Sequence, residues 1–284
     1  MSRTVYLNGE FLPFEQARVP VMDRGFLFAD GIYEVSAILN GRLVDNAGHL
    51  ARLDRSLAEI GIRNPHTAGE WERLETELVA CNGVEEGLVY MQVTRGVAER
   101  DFAFPKDEVA PTVVMFTQAK AIVANPLAES GARAITVPDL RWKRRDIKSV
   151  ALLAQVLAKQ QAAAAGVAEA FMVEEGAITE GSSSTVFIVT GDDRIVTRPL
   201  STALLPGITR AAVLALAAEA HLTIEERLIT VDEAYAAAEA FYTSASAFVM
   251  PVVEIDGRPI GDGRPGPLAR RMRALYLEFA EARR

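Results

Sequence analysis

Cysteine is nearly missing from this 284-residue chain: Cys81 stands alone, so no intrachain disulfide and no cysteine-rich metal site can form. Histidine is almost as scarce, and His49, His66 and His221 lie too far apart in sequence for a metal-ligand spacing, which reads each as a structural or surface side chain. No metal site and no cysteine nucleophile is expected. Charge or glycine interrupts every apolar stretch well short of a membrane span, and no basic and apolar leader pattern opens the chain. The expectation is a cytoplasmic protein without a membrane partner. Positive charge is also in short supply: a formal net charge of −8 argues against nucleic acid as a partner, although local arginine patches can still bind small anions.

Lysine is the scarcest of the cations. Of the 30 basic residues only Lys106, Lys120, Lys143, Lys148 and Lys159 are lysines, so arginine was used almost wherever a positive charge would do. Arginine cannot deprotonate and attack a carbonyl, whereas a lysine can form an imine when burial or a neighbouring cation lowers its pKa. Lys148 is singled out by its setting, Arg145-Asp146-Ile147-Lys148-Ser149, and by Glu180, which follows 32 positions later in Thr179-Glu180-Gly181-Ser182-Ser183-Ser184. Together they suggest a Schiff-base lysine and a cofactor-holding carboxylate. Alone, a lysine in a basic, turn-rich stretch is a solvated surface charge.

Half of the residues are hydrophobic and 24% are charged, an ordinary globular composition, and the length allows two compact lobes or one large α/β unit. The first lobe opens with strand-like Val5 to Leu7 and Ile32 to Asn40, the latter meeting Arg42 to Asp45 through Asn40-Gly41, a favoured hairpin turn. Helical spacing follows, with Leu50, Leu53, Leu57 and Ile60 on one face of 49–60 and Trp71, Leu74, Leu78 and Cys81 on one face of 70–81. Strand-like runs at 88–94 and 112–117 complete an α+β lobe. Periodicity then lapses around Asn125-Pro126, which places a first domain at 1–120, a linker at 121–130 and a second, α/β domain at 131–284. In the second, strands are expected at 132–137, 169–173, 185–189 and 247–255, and helices at 149–165, 209–221 and 267–282.

An imine-forming lysine alone fits an aldolase or a decarboxylase, so the other parts of the site matter. Leu205-Pro206-Gly207-Ile208-Thr209-Arg210 sets a glycine and a threonine at the start of an amphipathic helix, where free backbone N–H groups and the helix dipole favour a phosphate; its plain alternative is an ordinary helix start. Thr243-Ser244-Ala245-Ser246 supplies further small donors. Glu180, in what reads as a tight polar loop, can present its carboxylate to a protonated ring nitrogen, and Arg52 is a candidate phosphate clamp.

These residues, in this order and spacing, resemble the fold-type IV pyridoxal-phosphate enzymes, and among them the D-amino-acid aminotransferases. The likeness runs from Leu7-Asn8-Gly9 to Asp256-Gly257 through Asp23-Arg24-Gly25, Tyr33-Glu34-Val35, His49-Leu50-Ala51-Arg52, Arg141-Trp142, Asp146-Ile147-Lys148-Ser149 and Thr243-Ser244. It implies a two-domain fold with the lysine and most cofactor contacts in the C-terminal domain. By the same resemblance, Lys148 holds the cofactor and shuttles protons, Glu180 meets the pyridine nitrogen with Arg141 beside it, and Arg52 holds phosphate. Backbone donors of Ile208 and Thr209, with Ser244 and Ala245, complete the phosphate site, and Leu205 packs on the ring. Ala245 replaces an expected hydroxyl residue. Tyr33 and Val35 point to one face of a strand, and in the family that face borders the substrate.

The family's carboxylate clamp joins a tyrosine to an arginine and a histidine from the partner subunit's loop. Arg100 keeps the arginine here, but Phe102 stands where the histidine is expected. The implied reaction is ping-pong transamination between a D-amino acid and a 2-oxo acid such as pyruvate or 2-oxoglutarate, in a homodimer with a shared active site. An (R)-selective amine transaminase, a branched-chain L-amino-acid transaminase and an aminodeoxychorismate lyase stay open as neighbours of the same fold, and a cofactor-binding protein without turnover is the reading from another class.

Overall fold

The computed structural model describes residues 3–106 and 108–282. It divides into two compact units, one comprising Met1–Ala121 with Ile147–Ala151, the other Ile122–Asp146 with Leu152–Arg284. In the first unit the elements run β1 (Thr4–Leu7), β2 (Glu10–Pro13), the short helix α1 (Arg24–Phe28), β3 (Gly31–Leu39), β4 (Arg42–Val44), α2 (Asn46–Glu59), α3 (Ala68–Asn82), β5 (Glu86–Thr94) and β6 (Thr112–Ala119). Among the described residues the strands form an antiparallel six-stranded sheet ordered β2-β1-β6-β5-β3-β4. Asn40 and Gly41 both take positive φ, 52° and 70°, the turn whose twist matches two adjoining antiparallel strands, as the Asn-Gly pair predicts.

Helices α2 and α3 bury the faces their spacing predicts. Leu50, Leu53, Leu57, Trp71, Leu74 and Leu78 meet Ile32, Met91, Val93, Val113 and Met115 in one core, each large side chain contributing about 1.5–3 kcal/mol by leaving water. Thr67 caps α3 and Glu70 returns the bond to the Thr67 backbone N–H, so two otherwise orphaned donors are satisfied. Ile147 joins this same core. The backbone around it pairs with β3: Tyr33 N donates to Lys148 O at 2.9 Å and Val150 N to Gly31 O at 3.1 Å. The sequence pattern begins a helix at Ser149 and keeps Lys148 with residues 131–284; here Ser149 forms a bridge with Ile32, and the segment groups with the first unit.

A buried polar chain lies under β3. Ser36 Oγ is 3.0 Å from Asn46 Oδ1, and Asn46 Nδ2 donates to Glu75 Oε2 at 2.8 Å. Burial, reinforced by the negative charges of Glu34 and Glu72, pushes the Glu75 carboxyl up to about 7. Between its ordinary 4.5 and about 7 the folded state therefore binds more protons at Glu75 than the unfolded state, and stability declines as pH rises through that window. Glu75→Gln should leave the melting temperature unchanged near pH 4 and raise it at pH 8; a melting temperature equal to the parent's at pH 8 would refute the assignment.

The second unit carries α4 (Pro126–Ser130), β7 (Ala132–Pro138), α5 (Leu153–Ala164), β8 (Glu169–Glu174), β9 (Ala177–Gly181), β10 (Thr185–Val189), β11 (Ile195–Thr197) and α6 (Ile208–Glu219). It continues through β12 (Ile224–Glu226), β13 (Ile229–Thr230), α7 (Val231–Tyr235), β14 (Glu239–Ser244), β15 (Phe248–Ile255), β16 (Arg258–Pro259) and α8 (Pro267–Ala282). Its strands form a mixed sheet ordered β12-β11-β10-β14-β15-β7-β8-β9-β13, with β16 pairing β15. Helix α5 lays the small Ala158 and Ala162 against Val137, Ala170 and Met172. Residues 121–130, read from sequence as linker, include α4, which Asn125 caps through its side chain at Leu127 N. Among the described residues no helix is long and apolar enough to cross a membrane.

Candidate active site

In the first unit, Lys148 is half-buried and its Nζ lies 4.2 Å from the centroid of the Tyr33 ring. Its backbone is fixed to β3 by the bond from Tyr33 N, and Lys148 N donates to Ser56 Oγ at 3.4 Å. The segment therefore holds the lysine through main-chain contacts, while the amine end rests on an aromatic face. Tyr33 and Val35 share the half-buried face of β3, opposite Gln92 and Tyr90 of β5, and Tyr33 stacks on Tyr90 at 5.7 Å.

The inward face of the same strand carries Glu34. Its carboxylate accepts Arg52 Nε at 2.7 Å, Arg52 Nη2 at 2.8 Å and His49 Nδ1 at 2.8 Å. Burial alone would raise the Glu34 pKa, but Arg52 and His49 outweigh it and hold the carboxyl far below the usual range. Because an ionised carboxylate only accepts, His49 must carry its hydrogen on Nδ1. Burial lowers the His49 pKa against the pull of Glu34, and the Lys148 cation lowers it further. Arg52, a candidate phosphate clamp in the sequence, is held here by Glu34. Glu34 and His49 carry no role in the sequence reading, although a glutamate at an inward position of an alternating strand, facing the i, i+3 pair His49 and Arg52, is the signal that could have found them.

In the second unit Glu180 lies on β9, paired with Met172 of β8, and so on a strand where the sequence reads a loop. Its Oε1 accepts Leu205 N at 3.0 Å and its Oε2 accepts Arg141 Nη1 at 2.5 Å. Arg141 is itself gripped by Asp139, Nε to Oδ1 at 3.0 Å and Nη2 to Oδ2 at 2.7 Å. Thr179 Oγ1 also bonds Asp139, and Arg145 lies 3.3 Å from it while pairing Glu174. Burial would raise the Asp139 carboxyl, but Arg141 and Thr179 hold it down at about 2. Asp139 is thus the hub of the Glu180 mount; nothing in its sequence neighbourhood sets it apart from a surface aspartate.

At the other end of this unit's candidate set, Gly207 caps α6 without a side chain to close the first-turn amides of Ile208 and Thr209. A Cβ on Gly207 would stand 3.0 Å from Thr185 Oγ1 and 3.2 Å from Arg210 Cβ. Thr185 pairs in register with Thr243, whose buried Oγ1 has no hydrogen-bond partner among the described residues. Ser244 ends β14 and Ala245 starts the turn that follows, with Ser244 Oγ 3.4 Å from Ser246 Oγ. Arg210 anchors the helix start through Nη2, which donates to Arg198 O at 3.0 Å. Two of the proposed substrate residues sit on the exposed loop after β5: the guanidinium of Arg100 lies 5.4 Å from the Phe28 ring and 5.6 Å from that of Phe102.

Comparison with known proteins gives the family. Residues 31–255 match the amino-transferase class IV family. The chain is 39% identical to D-alanine aminotransferase of Staphylococcus aureus strain MSSA476, over 98% of each chain. It is 42% identical to D-alanine aminotransferase of Bacillus licheniformis, over 94% of this chain and 93% of that one. The crystal structure of the branched-chain amino acid aminotransferase from Thermobaculum terrenum, in its PLP-bound holo form, superposes with a TM-score of 0.86 at 25% identity, covering 100% of this chain and 95% of that one. This chain belongs to the amino-transferase class IV family.

Proposed function

We propose that this protein exchanges an amino group between a D-amino acid such as D-alanine and a 2-oxo acid, using pyridoxal 5′-phosphate in a ping-pong cycle. The observation that carries the reading is the match to D-alanine aminotransferase along 98% of both chains. When bound, pyridoxal phosphate supplies an aldehyde that captures the amino group and a ring that takes up the electrons released at the substrate α-carbon. The donors and acceptors present suit it. The start of α6, which no side chain caps, and the Thr243 hydroxyl, without a partner among the described residues, are what a phosphate would satisfy, and the Glu180 carboxylate is what a ring N–H would meet.

Lys148 would hold the cofactor, and its amine would take the proton of the substrate α-carbon and return it, so that one nitrogen would serve as base and then as acid. Glu180 would accept the hydrogen of the pyridine nitrogen, with Arg141 holding its carboxylate in place. Arg52 and the N–H groups of Ile208 and Thr209, with Ser244 and Ala245, would hold the phosphate, and Leu205 would pack on the ring. Tyr33 and Val35 border the substrate. Arg100, reaching the partner subunit's site in a homodimer, clamps the substrate carboxylate beside the apolar Phe102.

Mixing the holoenzyme with D-alanine, L-leucine or (R)-1-phenylethylamine, one at a time, tests this by the absorption change from the aldehyde to the aminated cofactor. Conversion by D-alanine is expected; conversion by L-leucine alone would overturn the D-amino-acid reading, and conversion by the amine alone would make Phe102 the mark of an amine transaminase. Arg100→Ala should raise KM for D-alanine by about tenfold or more, the loss of one charge-assisted carboxylate contact. Light scattering at assay concentration should give a dimer, and a fully active monomer would remove the shared site. We propose a cytoplasmic location as part of this reading.

A further inference from the structure

The loop that carries Arg100 is fastened by a buried charge cluster that none of the roles proposed so far uses. Asp30 Oδ2 accepts Arg24 Nε at 2.8 Å and Arg95 Nε at 2.7 Å, and its Oδ1 accepts Arg95 Nη2 at 3.0 Å. Both arginines are buried, Arg24 at 3% and Arg95 at 8% exposure, and neither spends all of its donors on Asp30. Arg24 Nη1 donates to Asp101 O at 2.6 Å, one residue beyond Arg100. Arg95 donates to Ile60 O and Gly61 O, and its guanidinium sits 3.6 Å from the centroid of the Phe104 ring. Phe28, over which Arg24 lies at 4.8 Å, is the ring that also faces Arg100 and Phe102. A single carboxylate thus aligns two guanidinium planes, each of which grips a different point of the loop.

We propose that Arg24, Asp30 and Arg95 are positioning residues for substrate carboxylate recognition, fixing the Asp101 carbonyl and the Phe104 ring so that Arg100 is presented at one set height. The inference rests on the reading of Arg100 as the carboxylate clamp. An exposed loop with a long cationic tip would otherwise lose affinity to its own freedom, and preordering it cuts that cost. Arg24→Lys keeps a cation for Asp30 but cannot also span to Asp101 O, because one ammonium replaces a planar fork. Phe104 is 60% exposed, so Phe104→Leu removes the aromatic hold on Arg95 without touching the core.

The test combines steady-state kinetics on the holoenzyme with hydrogen exchange of the peptide spanning 98–106. Arg24→Lys should raise KM for D-alanine by about tenfold, and by a larger factor than it lowers kcat, since a misplacement remote from the chemistry costs binding geometry. Exchange across 98–106 should quicken by about tenfold, the loss of one partly buried hydrogen bond, while β5 exchanges as before. Phe104→Leu should shift both readouts in the same direction. Arg24→Lys combined with Arg100→Ala should raise KM no further than Arg100→Ala alone, since the two act on one contact. Additive effects in that pair, or parental KM and exchange in both Arg24→Lys and Phe104→Leu, would overturn the anchor while leaving the clamp in place. An unchanged KM in Arg100→Ala itself would instead remove the clamp reading, whatever Arg24→Lys does.

Discussion

Lys148→Ala should abolish turnover, lowering kcat on the order of 10⁴-fold, the upper range for losing a positioned general acid and base. The fold should survive, because the ties of this segment to β3 run through main-chain atoms that alanine keeps, Tyr33 N to Lys148 O and Val150 N to Gly31 O. Among the described residues the side chain adds a contact with the Tyr33 ring at 4.2 Å, worth about 0.5–1 kcal/mol. Cofactor retained after gel filtration, together with lost turnover, would separate a chemical role from a binding one. Activity within tenfold of the parent would return the chain to the alternative of a scaffold whose lysine does no chemistry. Lys148→Arg should be no milder, since a guanidinium stays charged at every working pH.

The second large effect is expected on stability, from Glu34→Ala. That change leaves the Arg52 guanidinium and the His49 Nδ1–H without the carboxylate that accepts them at 2.7–2.8 Å, inside a wall of the core. Removing one member of such a buried pair costs about 3–5 kcal/mol. The pH dependence has a definite sign. The native carboxyl binds its proton far less readily than an unfolded one, so its contribution is complete above the ordinary glutamate value and fades as pH falls below it. The parent should therefore exceed Glu34→Ala by the full amount at pH 7 in urea denaturation, and the gap should narrow below about pH 4, the ordinary carboxylate range. A loss under about 1 kcal/mol at pH 7, an exposed pair's value, would show that the cluster is solvated after all.

Helical spacing made α2 and α3 legible from Leu50, Leu53, Leu57, Trp71, Leu74 and Leu78, and the Asn40-Gly41 turn located the hairpin before the structure did. Lys148 and Glu180 stand out as candidates because scarcity and motif spacing single them out. What stayed hidden are the long-range pairings. Ser149–Leu152 look like the first turn of α5 because the apolar period runs on through them, yet the pairing that wins is with Gly31 and Ile32, more than a hundred residues away. Local pattern carries no trace of such a partner. Asp139, which grips Arg141, was invisible for a different reason: a buried acid differs from a solvated one only in its neighbours, which the fold assembles from distant positions.

The chain's path has a consequence for how the protein is made. The ribosome releases residues 1–121 first, with all six strands of the first sheet in hand, but Ile147 and the β3-pairing segment emerge only after β7 has been synthesised. The nascent first unit must wait with a gap in its core where Ile147 belongs, and the lysine arrives as the closing piece. A gene split after residue 121 would yield a fragment missing that piece, restored only when the second fragment donates five residues back.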